Sequence, residues 1–241
     1  MKIVSVVGNK NTGKTSLSVK IIKELKNRGY KVASIKHSHH KMDFDREGTD
    51  TYKHKEAGAE TIMGAGGRFF FNIEKKMSLD RLLFLVKFID EPDFLVIEGF
   101  KSYKYPKIAT SPEVVDDHTI KSVDAFSLTD EDIIELVDLA EKKGHDIINT
   151  LYTNQCGYND GEDIAKAIVN EKIKYDDKDT DVYLSIDENV IGLNLFVNNF
   201  IKHGIIGMLK SLKLKKFGVK KFEKIELLIN NKKDQNKKNT D

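Results

Sequence analysis

The residues with the clearest chemistry lie near the start of the chain. Residues 8–15 read GNKNTGKT and match the pattern G-x-x-x-x-G-K-[ST]. They stand between a short apolar run and an amphipathic helical period, as this pattern requires. The glycines permit turns that aim backbone N–H groups at a phosphate, and the following helix adds its positive end. The pattern predicts a phosphate-binding loop made of Gly8, Asn9, Lys10, Asn11, Thr12, Gly13, Lys14, Thr15 and Ser16.

Two residues of this loop and one distant glutamate have the chemistry of a magnesium triphosphate site. Lys14 supplies a point charge for the β- and γ-phosphates, and the hydroxyl of Thr15 is a magnesium ligand. Glu98 follows a short, fully apolar run, residues 94–97, where most proteins with such loops have aspartate. Because its side chain is longer than that of aspartate, Glu98 would hold the magnesium ion through a bridging water molecule. The alternative is that Glu98 only ends its strand.

A second polar cluster follows the second apolar run. Its members are Lys36, His37, His39, His40, Asp43, Asp45 and Asp50. Loops that follow parallel strands meet at one edge of a sheet, so this cluster is expected beside the phosphate loop. Three interpretations stay open: contact with substrate or phosphate, a zinc or nickel site, and plain surface histidines. Asp50 is either a helix N-terminal charge or a group that supports magnesium-bound water.

The apolar runs alternate with helical periods, which predicts an α/β fold with a mostly parallel sheet and helices on both faces. The predicted strands are residues 3–7, 31–35, 61–63, 69–73, 94–97 and 123–128. The predicted helices are residues 15–25, 49–57, 78–89 and 130–143. The three prolines, at positions 92, 106 and 112, mark residues 101–112 as an irregular connection.

Beyond this α/β region the pattern changes. We predict a first domain over residues 1–148, a connecting segment over 149–180 and a small α+β domain, ββαβ, over 181–229. The small domain would contain a hairpin, a helix over residues 195–212 and a last strand over 225–229. Residues 230–241 are a polar tail that we expect to be disordered.

Composition excludes several functional classes. Lys+Arg 40 against Asp+Glu 38 leaves a net charge of +2, which disfavours nucleic-acid binding. The single cysteine, Cys156, excludes an internal disulfide or a four-thiolate cluster within one chain, and we interpret it as structural or vestigial. No window approaches the apolar length of a membrane span, and the first residues do not resemble a signal peptide. These features predict a soluble, cytoplasmic protein without a membrane partner.

Charge is nevertheless unevenly distributed. Residues 111–163 contain fourteen acidic and three basic residues, and residues 202–224 contain eight lysines and one glutamate. These blocks are either solvated faces or docking surfaces for each other or for a partner of opposite charge.

Several strings together resemble one family, the molybdopterin-guanine dinucleotide biosynthesis protein B family, MobB. The strings are GNKNTGKT at 8–15, IKHSHH at 35–40, MDFD at 42–45, GTDTY at 48–52, EAGA at 56–59 and VIEGFK at 96–101. The likeness extends over about residues 1–145. The phosphate loop is common to many families, whereas the histidine string combined with GTDTY and EGFK is specific.

The resemblance implies a GTP-binding accessory protein, at most a weak GTPase and usually a homodimer. Such a protein acts beside a MobA-type molybdopterin guanylyltransferase in molybdenum or tungsten cofactor synthesis, with GTP and Mg²⁺ as cofactors and molybdopterin as a further ligand. By the same resemblance, residues 8–15 hold the phosphates and Glu98 with Gly99 flanks the magnesium. Residues 36–40 and 43–50 line the nucleotide or pterin edge, and residues 64–68, with Arg68, border the same cleft.

Two other functions remain open on the residues alone. A metal-delivery GTPase would hold nickel or zinc with the histidines of residues 37–40. A small-molecule kinase would need lid arginines, and only Arg46 and Arg68 are placed to reach a phosphate. For the base we expect contacts from residues 127–130, and we interpret the NKKD string at 231–234 as a coincidence of a Lys/Asn-rich tail.

Overall fold

The computed structural model describes residues 1–38, 45–145, 161–172 and 182–229. The strands are β1 (Lys2–Val7), β2 (Val32–Lys36), β3 (Thr61–Ala65), β4 (Phe69–Ile73), β5 (Phe94–Glu98), β6 (Lys107–Ala109), β7 (Thr119–Ser122), β8 (Leu184–Ile186) and β9 (Asn189–Ile191). The helices are α1 (Lys14–Asn27), α2 (Asp50–Glu56), α3 (Leu79–Asp90), α4 (Asp130–Lys143), α5 (Gly161–Val169) and α6 (Leu195–Lys210). Short 3-10 helices cover Pro112–Val114 and Leu214–Phe217.

Five strands form a parallel sheet in the order β2-β5-β1-β6-β7. The central strand β1 pairs with β5 on one side, Val4 opposite Val96, and with β6 on the other, Val6 opposite Ile108. Because all five strands run the same way, the loops that follow β1, β2, β5, β6 and β7 share one edge of the sheet. The predicted α/β fold class is confirmed.

Both faces of the central strands are buried, which explains their nearly continuous apolar sequences. Val4 and Val6 belong to a core cluster that includes Leu17 and Ile21 of α1 and Val137 of α4. The intervening residues of β1, from Ile3 to Val7, point to the other face and are buried as well.

Arg28 joins α1 to α4 at the end of the first helix. Its guanidinium pairs with Glu24 at 2.8 Å, Asp138 at 2.6 Å and Glu141 at 3.0 Å. Together with the apolar faces of the two helices, these ion pairs hold α4 beside α1.

The hairpin β3–β4 is a separate antiparallel sheet, with Met63 opposite Phe71. Helix α2 packs next to β3, and Lys55 lies 3.9 Å from Glu74. These strands were predicted as strands, and the structure shows that they stand outside the five-stranded sheet.

Two predictions for the side of the sheet that contains β6 and β7 are wrong. Residues 107–109, expected to be irregular, form β6, which is too short for periodicity to reveal. Residues 123–128, expected to be a strand, form a turn after β7. In that turn Asp124 Oδ1 accepts from the Phe126 N–H at 3.0 Å, and the Ser127 hydroxyl donates to the Asp124 carbonyl at 3.1 Å. Such bonds favour a turn over a ladder.

The later part of the chain also differs from expectation. Helix α5 lies within the predicted connecting segment. The hairpin β8–β9 forms as predicted, around Asp187 and Glu188, which both have positive φ. It contacts α3, where Arg81 donates to the Ser185 hydroxyl at 3.4 Å. Lys75, which precedes α3, pairs with Glu188.

The chain divides into two compact units, Met1–Asn198 and Asn199–Asp241. In the second unit, α6 continues to Lys210, close to its predicted end. The predicted strand over residues 225–229 is wrong: this segment has no regular secondary structure. It is rich in exposed apolar side chains, such as Leu228 and Ile229, with no strand beside them among the described residues of the unit. The predicted domain boundaries stay a prediction, and the tail over 230–241 and Cys156 lie outside the described residues.

Across the described ranges, no helix is both long enough and apolar enough to cross a membrane.

Candidate nucleotide-binding site

The predicted phosphate loop is a tight turn between β1 and α1. Both of its glycines are needed, because neither position has room for a Cβ. A Cβ on Gly8 would stand 2.0 Å from the hydroxyl oxygen of Thr110. Gly13 has a φ of 76°, and a Cβ there would stand 2.8 Å from Cβ of Ala125. Asn11 also has a positive φ, 63°, a conformation that asparagine tolerates better than most residues. The remaining predicted members are exposed at the tip or in the first turn of α1: Lys10, Thr15 and Ser16.

The loop is held from the side by residues that follow β6. Thr12 and Thr110 share a hydrogen bond between hydroxyls at 2.6 Å, and the Asn9 N–H donates to the Ser111 hydroxyl at 3.1 Å. The Thr110 N–H in turn donates to the carbonyl of Val7 at 2.8 Å. Sequence analysis did not identify Thr110 or Ser111, because the strand that positions them was interpreted as irregular. The string ATSP at residues 109–112 was the available signal.

The side chain of Asn9 is fixed on both of its polar atoms. Its Oδ1 accepts from the Lys101 ammonium at 2.9 Å, and its Nδ2 donates to Glu113 Oε2 at 3.0 Å. Lys14 also reaches this residue, donating from Nζ to the Asn9 carbonyl. Asn9 therefore positions two ammonium groups at the loop.

Three lysines concentrate positive charge around the turn. Burial lowers the pKa of Lys14, the neighbouring positive charge of Lys101 lowers it further, Glu98 opposes that change, and Lys36 adds to it. Like charges held together in this way are stabilised by an anion between them, and a polyphosphate is such an anion. The electrostatics of the site therefore favour a multiply charged phosphate ligand.

Thr15 and Glu98 form the side of the site where a metal ion would lie. The Thr15 hydroxyl donates to Glu98 Oε1 at 2.8 Å. The Lys36 ammonium lies 3.2 Å from the same carboxylate oxygen and 3.4 Å from the Thr15 hydroxyl. One hydroxyl at the start of α1 and one carboxylate at the end of β5 fit Mg²⁺, which accepts few protein oxygens and keeps several waters. The predicted positions of Thr15, Glu98 and Lys36 are thus brought together.

Gly99 and His37 pack beside Glu98. Gly99 has a φ of 100°, and a Cβ on it would stand 3.1 Å from Cβ of His37. The His37 N–H donates to the Glu98 carbonyl at 2.9 Å, and its ring lies 4.3 Å from that of Phe100. His37 is therefore packed against the strand end that carries Glu98.

Three other predicted residues make contacts within their own segments. Asp45 Oδ1 accepts from the hydroxyls of Thr49 at 2.8 Å and Thr51 at 3.0 Å, before and within α2. Asp50 begins α2 and pairs with Lys53 at 3.1 Å, as a helix N-terminal charge does. Arg68 lies in the turn between β3 and β4, where its carbonyl accepts from Gly66.

His39, His40 and Asp43 lie outside the described residues. Among the residues that are described, no group of three histidine, cysteine, aspartate or glutamate side chains is arranged to hold a metal. The predicted transition-metal site therefore stays a prediction.

The family model of molybdopterin guanine dinucleotide synthesis protein B matches residues 3–138, more than half of the chain and all of the site described above. The chain belongs to the MobB family. The match confirms the predicted family and, through its relatives, a role in molybdenum cofactor biosynthesis.

Two relatives are similar to this chain over most of their own length. The Escherichia coli molybdopterin-guanine dinucleotide biosynthesis adapter protein is 35% identical over 147 residues, 55% of this chain and 82% of that protein. A Methanocaldococcus jannaschii protein, provisionally named as such an adapter, is 29% identical over 227 residues, 88% of this chain and 92% of that protein. A crystal structure of Bacillus subtilis MobB shares 30% identity, covers 51% of this chain and 77% of that one, and gives a TM-score of 0.43.

Proposed function

We propose that this MobB chain binds GTP with Mg²⁺ at residues 8–15 and acts as a cytoplasmic adapter in molybdopterin guanine dinucleotide synthesis. The carrying observation is the convergence of Lys14, Lys36 and Lys101 on this turn, beside the hydrogen-bonded pair of Thr15 and Glu98. In this proposal the lysines bind the phosphates, and Thr15 and Glu98 hold the ion and its water. The bound magnesium supplies charge neutralisation at the phosphates.

Hydrolysis at this site would be slow. An arginine that reaches the transferred phosphate accelerates such reactions strongly, and two of the four arginines are engaged elsewhere. Arg28 is bound to Glu24 and Asp138, and Arg81 contacts Ser185. Arg46 and Arg68 are the two that could reach a phosphate, and neither belongs to the phosphate loop. We therefore propose a nucleotide-binding adapter with weak GTPase activity at most.

The partner we propose is the MobA-type guanylyltransferase, with molybdopterin presented between the two proteins. The exposed side of α4 carries Glu131, Glu135 and Asp138, part of the acidic block of residues 111–163. This face would attract a partner with a basic surface. A homodimer, usual in the family by the resemblance above, is part of the same proposal.

Calorimetry with purified chain tests nucleotide binding. We expect Mg²⁺-dependent heat with GTP, tighter binding than with ATP, and loss of both in Lys14→Ala. Lys23→Ala, at an exposed lysine of α1 outside the loop, is the matched control and should retain the affinity. Equal affinities for GTP and ATP, both insensitive to Lys14→Ala, would refute the proposal.

Co-purification with the guanylyltransferase tests the adapter role. Glu131→Lys combined with Glu135→Lys should weaken the complex and make it less sensitive to salt, whereas Glu60→Lys, at an exposed position directly before β3, should not.

Equilibrium dialysis with Ni²⁺ and Zn²⁺ tests the metal-delivery alternative. Tight, near-stoichiometric binding that is lost in His37→Ala and His39→Ala would favour that function instead.

A further inference from the structure

The sugar and base of a nucleotide bound at the loop could extend along the sheet edge in either of two directions, toward β2 or toward β7. The loop follows the central strand β1. Lys36 and Glu98 end β2 and β5, so the positive and metal-binding groups lie on that side. On the other side stand β6 and β7 and the turn that follows β7. With the phosphates between the lysines, the nucleoside extends toward β7.

The turn after β7 touches the phosphate loop at Gly13. A Cβ on Gly13 would stand 2.8 Å from Ala125 and 3.5 Å from two ring carbons of Phe126. Ala125 is buried beneath the loop, whereas the Phe126 side chain is 73% exposed. A large aromatic ring thus stands in solvent at the edge of the loop, on the side left for the nucleoside.

Hydrogen bonds within the turn fix the backbone around Phe126. Its N–H donates to Asp124 Oδ1 at 3.0 Å, and the Ser127 hydroxyl closes the turn on the Asp124 carbonyl. From α1, Lys20 donates to the carbonyl of Leu128 at 3.2 Å. The ring is therefore presented by a braced turn, and a braced aromatic face is pre-organised for stacking.

We propose that Phe126 is the stacking platform for the base of the bound nucleotide. The inference rests on the nucleotide site proposed above and adds a subsite to it. Every nucleobase has a π-face, so stacking on Phe126 supplies affinity for purine nucleotides generally and does not choose guanine over adenine. Residues 127–130, expected from the sequence to contact the base, follow Phe126 directly.

A ligand without a base separates this role from a structural one. We expect Phe126→Ala to weaken Mg²⁺-GTP and Mg²⁺-ATP binding about tenfold each and to leave Mg²⁺-tripolyphosphate binding unchanged. Phe126→Tyr should retain the affinity. Phe217→Ala, which removes another exposed ring, in the second unit, is the control and should change none of these values.

The chain contains no tryptophan, so Phe126→Trp introduces a single fluorescent reporter. GTP should quench or shift its emission and tripolyphosphate should not, while Phe217→Trp should respond to neither. If Phe126→Ala weakens the binding of GTP and of tripolyphosphate equally, or weakens neither, the stacking role is overturned. The proposal that the unaltered chain binds GTP would still stand. If the unaltered chain binds neither ligand, the proposed function fails together with this inference.

Discussion

The hydroxyl of Thr15 donates a 2.8 Å hydrogen bond to the carboxylate of Glu98, although 83 residues separate them in sequence. The bond exists because α1 begins directly after β1 while Glu98 ends the adjacent strand β5. It brings two oxygen ligands for a metal ion, one neutral and one anionic, together beside the three lysines.

This pair predicts how magnesium dependence should change. Glu98→Gln removes the negative charge and keeps the shape, so the Mg²⁺ concentration that half-saturates GTP binding should rise about tenfold or more. Thr15→Ser retains a hydroxyl and should stay close to the unaltered chain. Magnesium titrations of GTP binding provide the measurement. An unchanged magnesium requirement in Glu98→Gln would leave Glu98 with only the role of ending its strand.

Gly8 should not accept even a methyl group. Its Cβ would collide with the Thr110 hydroxyl at 2.0 Å and the Thr12 hydroxyl at 2.6 Å. Overpacking of this kind costs about 1–3 kcal/mol, so Gly8→Ala should lower the free energy of unfolding and weaken GTP binding.

The matched control is Gly67→Ala, where a Cβ has nothing within 4 Å and should be tolerated. Thr110→Ala in the Gly8→Ala background removes the closest atom and should recover part of the stability. Denaturant unfolding of the four proteins checks this. Full stability in Gly8→Ala alone would show that the contact of Gly8 with Thr110 is not tight.

His145 should make the fold less stable in mild acid. Its ring is fully buried, Nδ1 donates to the Lys143 carbonyl at 3.0 Å, and burial lowers its pKa to about 4, with a smaller contribution in the same direction from His118. An unfolded histidine titrates near 6.5. Below that pH the histidine is protonated in the unfolded chain and stays neutral in the folded chain. The free energy of unfolding that is present above about pH 6.5 is therefore lost progressively toward pH 4.

Between pH 7 and pH 5 this loss amounts to about 2 kcal/mol for one such group. Urea unfolding at several pH values measures it. His145→Gln should have a shallower pH dependence than the unaltered chain over this interval, and His54→Gln, at an exposed position of α2, should have the same dependence as the unaltered chain. An unchanged slope in His145→Gln would assign the acid sensitivity to other groups.

Thr129 should contribute to stability as the N-cap of α4. Its hydroxyl accepts from the Asp132 N–H at 3.2 Å, and its own N–H donates to Asp132 Oδ2 at 2.8 Å. The second bond holds the pKa of the Asp132 carboxyl below its usual value. Thr129→Ala should cost about 1 kcal/mol in the free energy of unfolding, whereas Thr129→Ser should be nearly neutral. Equal stabilities of the two variants would contradict the capping role.

The strong local patterns were enough to predict much of this molecule. Each of these patterns is local, because it lies within one element or joins an element to its cap. They are the glycines and lysine of residues 8–15, the apolar strands around Val4 and Val96, and the periodicity of α1, α3 and α4. For these segments local propensity and burial agree, so the predicted bounds differ from the observed ones by two residues at most. The family strings also lie in this part of the chain.

Weak or very short patterns were misread. The three residues of β6 become a strand only because β1 offers them a partner, and residues 123–128 are apolar enough for a strand until Asp124 closes a turn. Residues 225–229 show the reverse case, since strand-forming side chains make no strand without a neighbouring strand to pair with. Pairing is a tertiary property that the local sequence does not contain.

The sequence alone determined the strand-loop-helix unit that presents Lys14 and Thr15 and predicted a phosphate ligand for it, because that chemistry is local to eight consecutive residues. Tertiary structure decided which distant groups complete the site. The parallel strand order brings Glu98 and Lys36 to one side of the loop and Thr110 and Phe126 to the other, across separations along the chain that no periodicity records.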